Sequence, residues 1–356
     1  MLKRIKKFIT ESYVFRLYVE QKIKDSETKR FLAEVTPPLN MELLGNKSFD
    51  ALVSDYKIAL KKHRVTWSEY FYQYEYWKLS EEERNAFVSR SNMQKCYRTL
   101  VHKDVRELMH NKEKFLLTFN NYIYRRWICL SEGDTSKKEN LRNLLDKGGG
   151  CIVKPISGSL GNGIRKISMK DIEDFDILYK ELCEEKVLVE ECLNATDEIQ
   201  AFNPDSLNTI RVVTISKKPK ATVFGAFIRM GRKGAVVDNA HAGGIFAQIN
   251  VDTGIVESCG ITTDGKRYET HPDTHKQILG FKIPHWGEIK EICIEAALSI
   301  DNLYFAGWDI CIRPDGKIEF IEGNHAPDFD VMQSPLKIGV KEKLNKITTE
   351  YFNYEL

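Results

Sequence analysis

The stretch FAGWDICIRPDGKIEFIEGNHAPDFD, residues 305–330, constrains the fold of this chain more than any other. Two alternating apolar runs flank Pro314-Asp315-Gly316, and this tripeptide predicts a tight hairpin, because proline presets φ and glycine accepts a positive φ. With Asp315 and Gly316 at the centre of the turn, antiparallel pairing sets Asp309 opposite Glu322, and the two-residue period of a strand brings Asn324 to the same face. Three oxygen donors then converge. Asp309 lies between Trp308 and Ile310, and Glu322 follows Ile318, Phe320 and Ile321, so both carboxylates stand on strands that are otherwise half buried. Uncompensated, each would carry a desolvation cost of several kcal/mol and would repel the other. One resolution is a divalent cation: Asp, Glu and Asn supply the hard oxygens that magnesium prefers, with water and phosphate completing the shell. The other is an ion pair from Arg or Lys to one acid, with the second facing solvent. On the first resolution, neutralising either carboxylate is expected to leave the fold intact and to relieve a repulsion.

With 356 residues, 42% of them hydrophobic, the chain can form two or three subdomains with full cores. A formal net charge of +2 gives no electrostatic reason to expect nucleic acid as a partner. The eight cysteines are scattered, without a C-x-x-C pair or a histidine at ligand spacing, which suggests buried thiols in a reducing cytoplasm. No apolar run is long enough for a membrane span, and the signal-peptide pattern is absent, so a cytoplasmic location is expected.

The order of segments predicts an α+β chain with a helical N-terminal region. Residues 1–39 form a basic amphipathic region whose helix, residues 1–24, carries Leu2, Ile5, Ile9, Val14, Leu17 and Ile23 loosely on one side. It could rest as a peripheral element on the anionic inner face of the membrane. Packing on the body, or on a second subunit, is the expectation. Residues 40–110 read as a helical domain in which Trp67, Tyr70, Phe71, Tyr72, Tyr74, Tyr76 and Trp77 recur near helical spacing. They are expected to fill a core, although aromatics can also stack a base. Ser80 and Glu83 match a capping box. Residues 111–150 link to the lobes and close on Gly148-Gly149-Gly150, a hinge candidate. Residues 151–199 form a small lobe with a glycine-rich loop, and residues 200–356 form a C-terminal lobe containing the carboxylate hairpin.

In the small lobe, Cys151-Ile152-Val153-Lys154-Pro155 is an apolar strand carrying a lysine, and the turn ISGSLGNG leads into a second strand, IRKIS. Backbone N–H groups of such a turn can line a polyphosphate while the lysine offsets its charge. A flexible hairpin without a ligand is the plainer alternative. The lysine precedes the loop, which excludes the Walker A order. Then follow VLVEE, a strand ending in Glu190 and Glu191, and NTIRVVT, which sets Arg211 in a β-branched run.

This succession of lysine strand, glycine loop, acid-ended strand, in-strand arginine and Asp/Glu/Asn hairpin resembles the ATP-grasp superfamily over about residues 106–340. Within it, HRVTWSEYFYQYEYWKLSEEER, ELMHNKEKF, NPDSLNTIRVVTI and HAGGIFAQI are similar to the sugar-transfer-associated ATP-grasp family. The resemblance implies the ATP-grasp fold, two α+β lobes with Mg-ATP between them. Matched motif to motif, Lys112 and Lys154 would touch phosphates or adenine, and Ser157, Gly158, Ser159, Gly161 and Gly163 would cover the phosphates. Glu190 and Glu191 would meet adenine partly through their backbone, and Glu198 the ribose. Arg211 would face the γ-phosphate, with Lys154 as the second catalytic cation, and Asp309, Glu322 and Asn324 would hold Mg2+, as two ions. Lys166, after the loop, is expected to matter little. Arg229, His241 and His325 stand on the substrate side. Arg229 and Arg232 could bind a carboxylate or be a solvated strand end, and His241 could be a loop histidine satisfied by backbone.

The resemblance implies an ADP-forming carboxylate–amine ligase that works through an acylphosphate. Its expected partners are a small-molecule or glycan carboxylate and an amine, joined as an amino acid on a sugar acid in surface-polysaccharide or capsule biosynthesis. A kinase acting on a sugar or other hydroxyl, and a non-catalytic ATP-binding scaffold, stay open as alternatives. So does the oligomeric state.

Overall fold

The computed structural model describes residues 49–356 apart from residues 67, 147–148, 158–162, 233, 236–237, 239–242 and 264. The expected basic helix over residues 1–24 lies outside the described residues. The described chain opens with α1 (Phe49–His63), a π-helical turn (Glu69–Gln73), a 3-10 turn (Tyr76–Lys78), α2 (Glu81–Asn85), α3 (Arg90–Leu100), α4 (Lys103–His110) and α5 (Lys112–Thr118). Ser80 caps α2 with the expected box: its hydroxyl accepts from the Glu83 N–H at 3.3 Å, and the Glu83 carboxylate accepts from the Ser80 N–H at 2.7 Å. Tyr70, Phe71, Tyr74, Tyr76 and Trp77 bury together with Tyr56 and Phe87 in a core of their own. None of them lines the cleft between the two sheets described below.

The small lobe consists of β1 (Trp127–Cys129), α6 (Lys138–Asp146), β2 (Cys151–Pro155), β3 (Arg165–Ile167), α7 (Phe175–Glu185) and β4 (Val187–Glu191). Its antiparallel sheet runs β1-β4-β2-β3. Alternation divides the sheet into two faces. Cys151, Val153, Val187 and Val189 bury against Leu141, Leu144, Leu145 and Leu182 of the covering helices. Ile152, Lys154, Lys166, Leu188 and Glu190 therefore point the other way.

The large lobe contains α8 (Asp197–Gln200), β5 (Thr209–Lys217), β6 (Lys220–Met230), β7 (Ile245–Ile249), β8 (Gly260–Ile261), β9 (Arg267–Tyr268), α9 (Trp286–Ser299), β10 (Phe305–Ile312), β11 (Ile318–Asn324), α10 (Asp330–Gln333) and α11 (Lys341–Phe352). Seven strands form one sheet in the order β11-β10-β5-β6-β7-β8-β9, with every neighbouring pair antiparallel. α9 packs on β5 and β6, and α4 and α5 pack on β11. Gly323 permits that last approach, since a Cβ there would stand 2.4 Å from Phe115 and 2.5 Å from Met109. Trp308 anchors the core face of β10: it stacks on Phe320 at 5.0 Å and donates to the Thr214 hydroxyl at 3.0 Å.

The β10–β11 hairpin does not have the expected turn centre. Ile312 pairs with Ile318, so Arg313 to Lys317 form the loop, closed by bonds from the Arg313 N–H to Lys317 O and from the Gly316 N–H to Arg313 O, both 2.9 Å, with Gly316 at φ +81. Regular pairing from there would bring Ile321 opposite Asp309. Instead the register slips between Ile310, which pairs with Phe320, and Asp309, which pairs with Glu322. Ile321 is the extra residue of a β-bulge. The expected Asp309–Glu322 pair thus forms through two one-residue offsets that cancel.

The eight cysteines are free thiols, and six of them, Cys96, Cys129, Cys151, Cys183, Cys293 and Cys311, are buried. Among the described residues no helix is long and apolar enough to cross a membrane.

Candidate active site

A cleft of about 540 Å³ is lined by residues of both sheets and of α4 and α5. From the small sheet come Ile152, Lys154, Lys166, Leu188 and Glu190, the face that alternation leaves uncovered by α6 and α7. From the large sheet comes one cross-strand row: Glu322 pairs with Asp309, Asp309 with Arg211 and Arg211 with Phe227, and all four line the cleft. Asn324 and Arg229, two residues from Glu322 and Phe227 respectively, share that face.

Asp309 accepts three bonds from two arginines. Arg211 donates to it from Nε and from Nη2 (2.8 Å), and Arg229 Nη1 donates at 2.7 Å. Burial disfavours its charge, but the two guanidinium groups outweigh burial and hold its carboxyl well below the usual range. Arg229 also reaches Asp238 at 2.7 Å, and Asp238 in turn accepts from the Thr209 N–H and hydroxyl at 2.8 and 2.5 Å. Arg229 is therefore not a solvated strand end, because two acids enclose it. Arg232 is a bidentate partner of Asp273, at 2.7 and 2.9 Å. Removing Asp309 would leave two buried guanidinium groups facing each other, so the expectation that either carboxylate can be neutralised without loss is corrected for Asp309. Glu322 behaves differently. Burial and the Asp309 charge opposite push its carboxyl up, only partly offset by Lys154, Arg229 and Arg211. Asn324 accepts from the Ala326 N–H at 2.9 Å.

On the small-lobe side, Lys154 is ion-paired to Glu190, and Glu190 also accepts from Arg125 Nε at 2.8 Å. Burial opposes the charge of Glu190, but Arg125 and Lys154 outweigh it and bring its carboxyl down to about 2. Lys112, the first residue of α5, donates its main-chain N–H to Ile156 O at 3.1 Å and lines the cleft. Its ammonium is pushed down by burial and by Lys154, against the pull of Glu322 and Glu190. Lys166 sits across the ladder from Ile152 and lines the same cleft.

Glu190 and Glu191, expected to meet adenine partly through their backbone, both line the cleft. Glu190 spends its carboxylate on Lys154 and Arg125, and the Glu191 N–H is bound within the sheet to Arg126 O at 3.0 Å. The chain leaves the sheet at Cys192, Leu193 and Asn194, and these line the cleft. Glu198 is exposed on α8 and does not line the cleft, whereas Gln200 does. Ser157 is exposed and bridges to Asn111, and Gly163 holds φ +75. Gly158, Ser159, Gly161 and His241 lie outside the described residues. His325 lines the cleft with His110, and burial, followed by Arg106 and His110, keeps its imidazole below the usual range. Sequence reasoning missed Arg125, Asp238 and His110. The alternation in YRRW, with one arginine in and one out, carried a signal for Arg125, while the contacts of Asp238 depend on how its loop folds back.

Among solved structures the chain is similar to the ATP-grasp ligase PsnB complexed with minimal precursor (16% identity, 67% of this chain and 58% of that one, TM-score 0.42). It is also similar to PsnB complexed with minimal precursor, Mg and ADP (15%, 84% and 75%, 0.44) and to D-alanyl-alanine synthetase A from Vibrio cholerae (12%, 71% and 68%, 0.43). The chain spans less than two thirds of the length of the first of these. No curated protein sequence matches it. The sequence model described as sugar-transfer associated ATP-grasp matches residues 82–349, well over half of the chain, and the chain belongs to that family.

Proposed function

We propose that this chain is an ATP- and magnesium-dependent ligase that joins a carboxylate to an amine with release of ADP and phosphate. The observation that carries the reading is the opposition, within one cleft, of the Lys154–Glu190 pair and the Asp309–Glu322 pair. Lysines 112, 154 and 166 would meet the triphosphate, and Leu193 and Asn194, where the chain leaves the sheet, would border the base. Arg211, next to Asp309, would meet the transferring phosphoryl group.

Magnesium fits the donor set. Among the described lining residues seven carboxylates (Glu190, Glu191, Asp205, Asp238, Asp309, Glu322, Asp328) face five basic side chains (Lys112, Lys154, Lys166, Arg211, Arg229), so a bare polyphosphate would meet surplus negative charge. Glu322, half-buried and with its carboxyl raised, is the acid in surplus. Asp309, Glu322 and Asn324 would hold the ion, or two of them, and the metal would offset the negative charge of the phosphates.

In the reaction a carboxylate oxygen of the substrate attacks the γ-phosphorus, the bond to the β,γ-bridging oxygen breaks and ADP leaves. An amine nitrogen then attacks the acyl carbon of the acylphosphate, phosphate leaves and a proton is lost from nitrogen. A sugar acid as carboxylate and an amino acid as amine, in surface-polysaccharide assembly, agree with the family's association with sugar transfer. The test gives the purified protein Mg-ATP with panels of uronates and amino acids and follows ADP, phosphate and the amide by mass spectrometry. Coupled release of ADP and phosphate with amide formation is the expected result. Release of AMP and pyrophosphate overturns the reading, and a phosphorylated acceptor without free phosphate replaces it with a kinase.

A further inference from the structure

We infer that Arg125 is a positioning residue for both halves of the site: it pins the bulge that turns Glu322 toward Asp309, and it pins the carboxylate that holds Lys154. The inference rests on the nucleotide-binding reading above. The Arg125 guanidinium is buried between the two sheets. Nε donates to Glu190 at 2.8 Å, Nη1 to Glu319 at 2.9 Å and to Phe320 O at 2.8 Å, and Nη2 to Ile321 O at 3.1 Å. The main-chain N–H groups of Arg125 and Tyr124 add bonds to Glu319 at 2.9 and 3.1 Å, and Arg313 takes the other oxygen of Glu319 at 2.7 Å.

Consecutive carbonyls of a regular strand point to opposite edges, so one guanidinium meets both Phe320 O and Ile321 O only where the chain is turned. That place is the bulge. Without the extra residue, pairing continued from Ile312–Ile318 would set Ile321 across from Asp309 and turn Glu322 and Asn324 to the far face. The same planar group fixes Glu190, whose second oxygen holds Lys154. Lysine cannot take this place, since a point-like ammonium with three donors does not span two carboxylates and two carbonyls.

The test uses the full chain and ADP, with affinity read by calorimetry with and without magnesium. Arg125→Lys is expected to lose about tenfold or more in magnesium-free ADP affinity as Lys154 is released, and also to lose the gain in affinity that magnesium gives the wild type. Glu190→Gln, which leaves the bulge pinned, should lose the first and keep the second. Arg313→Lys should behave as the wild type in both. Should Arg125→Lys fail to fold, Arg125→Met combined with Glu190→Gln and Glu319→Gln removes the guanidinium together with its two carboxylate partners and should show the same two losses. A folded Arg125 variant that keeps the magnesium gain overturns the inference. If the wild type binds no ADP, the nucleotide reading falls, and a crystal structure of the Arg125 variant still decides: a slipped β11 with Glu322 turned away supports the inference, and an unmoved bulge overturns it.

Discussion

Asp309 and Glu322 are paired across two strands, yet they should respond to substitution in opposite directions. Asp309→Asn leaves Arg211 and Arg229 without their shared counter-charge, a loss of roughly 3 kcal/mol or more for a broken buried pair, so its melting temperature at neutral pH should fall. Glu322→Gln removes the acid that burial and Asp309 already disfavour. Its melting temperature should match or exceed the wild type at pH 7 and converge on it in acid. The sign follows from a raised folded-state pKa, whose favourable contribution exists below the ordinary glutamate range and disappears as pH rises. Glu190 runs the other way. The folded protein keeps it ionised down to about 2 against an ordinary value of 4.5, so acidification across that window should remove roughly 3 kcal/mol of stability, a slope that melting of Glu190→Gln against pH should lack. Lys154→Ala and Lys166→Ala should both weaken ADP binding, each by roughly 1.5 to 3 kcal/mol if it contacts phosphate. Calorimetry that finds Lys166→Ala unchanged would exclude it from the phosphate path. At this scale the sequence made the shared face of Glu322 and Asn324 legible, because strand alternation is local, whereas the Asp309–Glu322 pairing came out only because a displaced turn and a bulge offset each other. The Arg211–Asp309–Arg229–Asp238 cluster was not legible, since it joins residues from three strands and a loop whose neighbours only the sheet order defines.

Elements were readable where one period ruled them. The capping box at Ser80, the strand at residues 151–155 and the arginine-bearing strand β5 follow from local pattern alone. The hairpin was readable only in part: Pro314-Asp315-Gly316 fixes where the chain turns, but the choice between a two-residue and a five-residue loop depends on how β11 meets its neighbours. The seat of α4 and α5 on β11 was likewise invisible, although Gly323 marks it. Gly323→Ala forces a methyl group against Phe115 and Met109, an overpacking that should cost about 1 to 3 kcal/mol in urea unfolding. The helices bear Lys112 and His110, so the same variant should also weaken ADP binding. A fall in stability with wild-type ADP affinity would mean that β11 and the helices adjust without carrying the cleft with them.

Over the whole molecule, residues 52–87 and the small lobe each close a hydrophobic cluster of their own, while α3, α4 and α5 share one cluster with the large lobe. The small lobe is contiguous in sequence, from β1 to β4, and closes its own core under α6 and α7. Its other face meets the rest of the chain across the cleft, where the Arg125 bridge from Glu190 to β11 ties it down. Such a unit is suited to open on its own, at a free energy below that of global unfolding. Amide exchange should therefore be faster across residues 151–191 than across β5 and β10 in the free protein, and a ligand bound between the sheets should slow the small lobe most. Uniform slowing of both lobes would mean one cooperative body. Under the proposed function the separate core would have a kinetic meaning: the rate at which this lobe lifts and reseats would set an upper limit on how often a spent nucleotide can leave, whatever the speed of the bond-making steps.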